Sequence, residues 1–179
     1  MDPAAPYRVV TASSLFDGHD ASINIFRRLL QKAGLEVIHI GHNRSVHQIV
    51  TTAIQEDANA VCISSYQGGH MEFFRYLHQC LRDKGAGDIS IFGGGGGTIL
   101  PGEIEQLQHV GITRLYHAED GRKLGLRGII QDAVEHTHSV LRDGAYYETL
   151  LSKMKSELTN LEIAKAITLL ERPDYLPKV

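Results

Sequence analysis

Short apolar runs rich in β-branched residues alternate along this chain with longer segments in which apolar residues recur every three or four positions. Residues 8–12, 35–40 and 60–64 read as strands. Between the first two, Ile23, Phe26, Leu29 and Leu30 fall on one face of a helix that begins near Asp20 and stops at Gly34, where a positive φ costs little. Val46, Ile49, Val50 and Ile54 define a second helix, opened by Ser45 as N-cap and running to about Gln55. Phe73, Phe74, Leu77 and Leu81 mark a third, which follows Gly69 and ends in the turn at residues 84–87. A strand over 89–92 comes next. The glycine run 93–97 is expected to be a loop, because glycine in regular structure carries a large entropic cost. Pro101 suits the first turn of a helix through Val110, residues 113–116 make a fifth strand, and 124–141 a closing helix.

Strands alternating with helices imply a parallel sheet covered on both faces, since right-handed crossovers place the helices there. The expected fold is therefore α/β and flavodoxin-like (Rossmann-like): a doubly wound five-stranded parallel sheet in the order 2-1-3-4-5. In that order the switch point lies between the first and third strands, and ligands bind at the carboxyl ends. Three loops are selected by topology alone: residues 13–20, 64–69 and 93–98. The domain is expected to span 1–143. From Gly144 the character changes, with Tyr146, Tyr147, helical spacing from Leu150 to Glu171, then Pro173 and Pro177, so 144–179 reads as a C-terminal helical extension or linker.

Composition narrows the picture further. With 179 residues, 42% hydrophobic and 22% charged, and a mean hydropathy of −0.15, the chain has the profile of a globular domain with no segment able to span a bilayer. The opening residues MDPAAPYRVV lack the pattern of a secretory signal, so a cytoplasmic location is expected. A net charge of −3 gives no basic footprint for nucleic acid. Cys62 and Cys80 lie in a strand and a helix without paired spacing and read as core residues.

Candidate chemistry gathers in the three loops. In Asp17-Gly18-His19-Asp20, a carboxylate two residues from an imidazole can accept its second N–H, the usual support of a metal-bound histidine. His19 is thus a candidate ligand to a metal, or to a metal inside a cofactor. The same tetrapeptide also reads as a capping aspartate beside an exposed histidine. Ser64, Ser65 and Tyr66, followed by Gln67-Gly68-Gly69, offer hydroxyls and a close backbone approach to a ligand, or a plain strand-to-helix turn. The glycines from Gly93 leave one wall bare. A phosphate loop would need Gly-Lys-Ser/Thr, but Thr98 follows glycine without a lysine, and a dinucleotide fingerprint belongs after the first strand. His39, His42 and His47 lack the spacing of a zinc site, and no Gly-x-Ser-x-Gly elbow is present.

Together the three loops resemble the B12-binding family, whose signature is Asp-x-His-x-x-Gly, then Ser-x-Leu, then Gly-Gly. Asp17 to Ser22 fills the first element with Ser22 in place of glycine. A gap of 41 residues leads to Ser64-Ser65-Tyr66, with Tyr66 in place of leucine, and a gap of 26 leads to Gly93-Gly94. The segments SLFDGHDASINI, GHNRSVHQIV, ISSYQGGH and FGGGGGTILP are most similar to the fused isobutyryl-CoA mutases, in which an N-terminal cobalamin domain precedes a GTPase chaperone. The resemblance covers about 7–142. Beyond it, LEIAKAITLLER is similar to the helix that opens mutase GTPase chaperones, with no Walker motif before Val179, so either a domain cut from a longer polypeptide or a free-standing small subunit with a chance tail is expected.

The resemblance implies adenosylcobalamin as cofactor, bound base-off with His19 on cobalt. Asp17 would hold His19, Ser64 would hydrogen-bond the nucleotide tail, Tyr66 would line it, Gly93 and Gly94 would leave it room, and the main chain of Gly18 and Asp20 would touch corrin amides. The implied partners are a mutase catalytic barrel, as domain or subunit, and a GTPase chaperone. The implied reaction is radical carbon-skeleton rearrangement of an acyl-CoA, with isobutyryl-CoA and n-butyryl-CoA interconverted, and this chain is expected to catalyse nothing alone. Corrinoid methyl carriers and B12 photoreceptors share the signature, but would be expected to carry a helical module where about seven residues precede the first strand. An FMN-binding flavodoxin-like module could use Ser13 and Ser14, yet leaves Asp17 and His19 without a role. A phosphorelay receiver needs an aspartate where Ser64 and Ser65 stand.

Overall fold

The computed structural model describes residues 7–137, 152 and 158–171. Its order is β1 (Arg8–Ser14), α1 (Ala21–Lys32), β2 (Glu36–Arg44), α2 (Val46–Gln55), β3 (Ala60–Ser64), α3 (His70–Asp83), β4 (Ser90–Gly94), a 3₁₀ turn (Gly96–Thr98), α4 (Pro101–Val110), β5 (Arg114–Tyr116), α5 (Ala118–Glu135) and α6 (Asn160–Leu170). All strand pairs are parallel, in the order β2-β1-β3-β4-β5, as the alternation of elements requires.

Register carries the architecture into the site. Ser13 pairs with Ser64, Ser64 with Gly94, and Gly94 with Tyr116, so these four residues form one row across the carboxyl end of the sheet. The helices pack on either side. Val10, Ile49, Val50, Phe74, Leu77 and Leu107 belong to a buried core beneath α2, α3 and α4. Val9, Leu30, Phe92, Ile129 and Ile130 make a smaller one beneath α1 and α5.

Several boundaries differ from the sequence expectation. β1 continues to Ser14 because its pairing with β3 holds through Ser13. β2 runs on to Arg44, bent where Gly41 takes φ +89° and the register with β1 slips. Gly93 and Gly94 are strand rather than loop: β4 is paired on both sides there, and this lattice overrides glycine's poor propensity. The closing helix begins at Ala118, well before Leu124, where Asp120 accepts the N–H of His117 at 2.8 Å. It breaks at Gly125 (φ 65°, ψ 171°), and the expected end at residues 138–141 lies outside the described residues.

Part of the extension folds onto the domain. Thr159 caps α6, Leu161 packs on the larger core, and Leu169 is buried. Glu171 reaches Arg8 at 3.6 Å, at the amino end of β1 and thus at the opposite pole from the row of paired residues. Tyr146 and Tyr147 lie outside the described residues. Cys62 and Cys80 are both free thiols, each packed against a core.

Candidate functional site

The loop after β1 is fastened to the loop after β3 by polar contacts. Ser14 Oγ donates to Ser65 Oγ at 2.9 Å, and Ser13 Oγ donates to the His19 carbonyl at 3.1 Å. Asp17, 1% exposed, accepts the His19 N–H at 2.9 Å on Oδ1 and the Tyr66 N–H at 2.5 Å on Oδ2. The same Oδ1 lies 2.8 Å from His19 Nδ1. A carboxylate only accepts, so Nδ1 carries the hydrogen, and in the neutral ring the lone pair is on Nε2. The His19 side chain is 74% exposed, which leaves Nε2 open to a ligand from outside. This is the tautomer and orientation a metal requires.

The capping alternative finds no support in this geometry. Asp17 spends its carboxylate on His19 and Tyr66, and Asp20, at the N-cap of α1, makes no side-chain cap bond. Among the described residues, no three His, Cys, Asp or Glu side chains converge as a metal group.

Beside this loop the α1/α5 layer is hollow. A cavity of about 330 Å³ runs from Tyr66 and Gly94 at the carboxyl end, past Ile23, Phe26 and Phe92, to Ile129 and Ala133. That is the size and apolar character of a small-molecule site. Ser64 Oγ is buried at its wall and has no hydrogen-bond partner among the described residues. A buried hydroxyl without a partner is costly, and a ligand's polar group in the cavity would satisfy it. At the β5 end of the same row, Tyr116 donates to Asp132 Oδ2 at 2.7 Å, and Arg114 pairs with Asp132 at 2.9 Å. Burial first, and then the bond to Asp132, hold the Tyr116 phenol far above its ordinary range, so it serves here as a fixed donor.

The glycine run divides its work. A Cβ on Gly93 would strike Phe74 Cζ and sit 2.9 Å from the Ile63 carbonyl, so this glycine is demanded by packing against α3. A Cβ on Gly94 would lie 3.0 Å from the Tyr116 carbonyl, on the hollow side of the sheet. On Gly95 it would strike the Ser65 carbonyl, and on Gly96 it would meet the Tyr66 ring at 2.9 Å. Around Gly18 there is open space.

The expected site residues Asp17, Gly18, His19, Asp20, Ser64, Tyr66, Gly93 and Gly94 thus share one end of the sheet, although the Cβ position of Gly93 faces away from the cavity. The two departures from the family signature are partners: Ser22 and Tyr66 hydroxyls lie 2.8 Å apart, and the Tyr66 ring sits 5.4 Å from that of His19. That pairing and the buried staple of Ser14 and Ser65 carried no periodic or motif signal. Only the hydroxyl clusters at 13–14 and 64–65 hinted at the staple.

A switch-point crevice with an outward imidazole, a buried carboxylate behind it and an apolar channel alongside marks this as the ligand-binding end of a doubly wound α/β domain. Residues 7–121 match the B12 binding domain family, and the chain belongs to it. It is 60% identical over 133 residues to the fused isobutyryl-CoA mutase of Geobacillus kaustophilus, covering 74% of this chain and 12% of that one. It is 33% identical to the 2-hydroxyisobutanoyl-CoA mutase small subunit of Aquincola tertiaricarbonis, over 70% of this chain and 80% of the relative. The chain therefore spans about an eighth of the fused mutase it matches and most of the small subunit. A cobalamin-binding protein of Desulfitobacterium hafniense has the same fold, with a TM-score of 0.61, 21% identity, and coverage of 75% of this chain and 60% of that one.

Proposed function

We propose that this chain binds adenosylcobalamin base-off, with His19 Nε2 on cobalt, and presents it to the catalytic barrel of an acyl-CoA mutase. The observation that carries the reading is the Asp17–His19 pair, whose geometry leaves one nitrogen free and the other fixed. The bound cofactor supplies radical chemistry through its cobalt–carbon bond. The chain's own residues bind and orient. Asp17 keeps the imidazole in the ligating tautomer and raises its basicity. Ser64 donates to the nucleotide tail in the α1/α5 channel, which Tyr66 and Gly94 line, while Gly93 lets Phe74 close the other face. The open backbone at Gly18 and Asp20 meets corrin amides.

The similarity to a fused isobutyryl-CoA mutase supports interconversion of isobutyryl-CoA and n-butyryl-CoA as the reaction served. Residues able to close over a thioester belong on the barrel, which the small-subunit relative suggests can be a separate chain. Alone, this chain binds and does not turn over. A GTPase chaperone domain is the second partner, supported by the wording of α6. Among the described residues no helix is long and apolar enough to cross a membrane, and the cytoplasm is the compartment where acyl-CoA substrates and such a chaperone would meet it.

Titrating the purified chain with adenosylcobalamin and with aquocobalamin, while following the visible spectrum, tests the reading. The parent should give a histidine-ligated, base-off spectrum that His19→Ala abolishes. Binding indifferent to that substitution would refute the ligand assignment.

A further inference from the structure

The loop bearing His19 holds a second residue whose conformation its ligand role does not require. Asp17 N–H donates to the Ser14 carbonyl at 3.1 Å, closing a four-residue turn with Phe16 in third place. Phe16 takes φ +65°, a region that bulky side chains rarely adopt and glycine adopts freely. Phe16 is 83% exposed and belongs to neither core. A second strained residue holds it there: Asn43, with φ +55° near the end of β2, accepts the Phe16 N–H on Oδ1 at 2.8 Å.

A lone exposed apolar residue is ordinary, but one that is also strained and pinned is not. The backbone strain opposes folding and the wetted ring returns nothing against it, whereas glycine at this position would remove the strain. The arrangement is rational if the ring is covered by something that arrives after folding. Three residues further on, His19 offers an open nitrogen on the same loop. A macrocycle coordinated there would be far wider than the imidazole, so it would overhang the loop that carries the imidazole.

We infer that Phe16 is a platform for the corrin, its ring covered by the macrocycle's lower face, with Asn43 as the residue that positions it. This rests on the cobalamin reading above. Covering one face of the ring corresponds to about a tenfold gain in affinity.

The test uses aquocobalamin titration and cofactor-free thermal unfolding of the purified chain. Phe16→Ala removes the ring but keeps a Cβ at positive φ; Phe16→Gly removes ring and strain together. Both should bind about tenfold more weakly and by equal factors, Phe16→Leu should recover most of the loss, and all three should keep the histidine-ligated spectrum. Without cofactor, Phe16→Gly should unfold a few degrees above the parent. Unchanged affinity in the alanine and glycine variants overturns the platform. So does a loss confined to glycine, which would assign the effect to backbone stiffness. Failure of the underlying reading looks different: His19→Ala would then leave spectrum and affinity as in the parent.

Discussion

Alanine at Gly93 separates packing from binding in the glycine run. The added methyl would overlap the Phe74 ring and approach the Ile63 carbonyl at 2.9 Å, and both neighbours are buried in a dense layer. Overpacking of this kind costs about 1–3 kcal/mol. The upper end applies here because a β-strand carbonyl and a fully buried ring must both yield, so about 3 kcal/mol is expected. For a chain of this length that lowers the melting temperature by about 6–12 °C. Urea unfolding should report the same loss through a lower midpoint at unchanged slope. Shortening the obstructing ring should compensate in part, so Gly93→Ala with Phe74→Leu should be at least about 1 kcal/mol more stable than the two single effects summed. The methyl lies on the α3 side of the sheet, and cobalamin affinity, measured well below the lowered transition, should stay within about threefold of the parent. Gly94→Ala should show the reverse: a smaller stability loss and at least about tenfold weaker binding, since its methyl points to the channel. A Gly93→Ala chain that melts like the parent, or that loses cobalamin as Gly94→Ala does, would refute this division.

Asp17→Asn sets amide hydrogens against the N–H groups of His19 or Tyr66, and cobalamin affinity should fall about 10–100-fold, with a weaker histidine-ligated band in the spectrum. Ser64→Ala deletes a buried hydroxyl that has no partner among the described residues, so the cofactor-free chain should be neutral or stabilised by up to about 1 kcal/mol, while binding weakens about five- to tenfold; a clear loss of cofactor-free stability would count against it. Burial, and then Arg27, lower the titration of His39 below its ordinary 6.5, and burial and then Arg82 do the same for His78. The folded chain thus resists protons that the unfolded chain accepts. This stability is present above pH 6.5 and lost as pH falls through the lowered values, and His39→Gln with His78→Gln should flatten the slope of melting temperature below that pH.

How much of this was legible depended on whether local pattern and tertiary demand agreed. Residues 60–64 are an apolar run with a buried strand's length, and β3 has those bounds. Ser45 and Gln48 spell out a capping box, and α2 begins there. Gly93 and Gly94 misled because propensity speaks for a loop, whereas the need for space beside Phe74 and Tyr116 cannot be read locally. The start of α5 was hidden by Gly121 and Gly125, which dilute its apolar period until Ile129 and Ile130. In the site, Asp17 and His19 were readable because they stand only two positions apart. Contacts that join distant segments were not: Tyr66 N–H to Asp17 spans 49 positions and Ser22 to Tyr66 spans 44. Nor does any composition encode the positive φ of Phe16.

The two faces of the sheet are packed unequally, the larger core lying beneath α2, α3 and α4 and a cavity of about 330 Å³ beneath α1 and α5. Empty interior volume is what hydrostatic compression removes, because atoms lining a void lack partners on one side and unfolding eliminates the space. The volume change on pressure unfolding should therefore be set chiefly by the α1/α5 side. An aromatic nucleotide in that gap would complete the missing half of the interior, so that ligand and core become one packed solid.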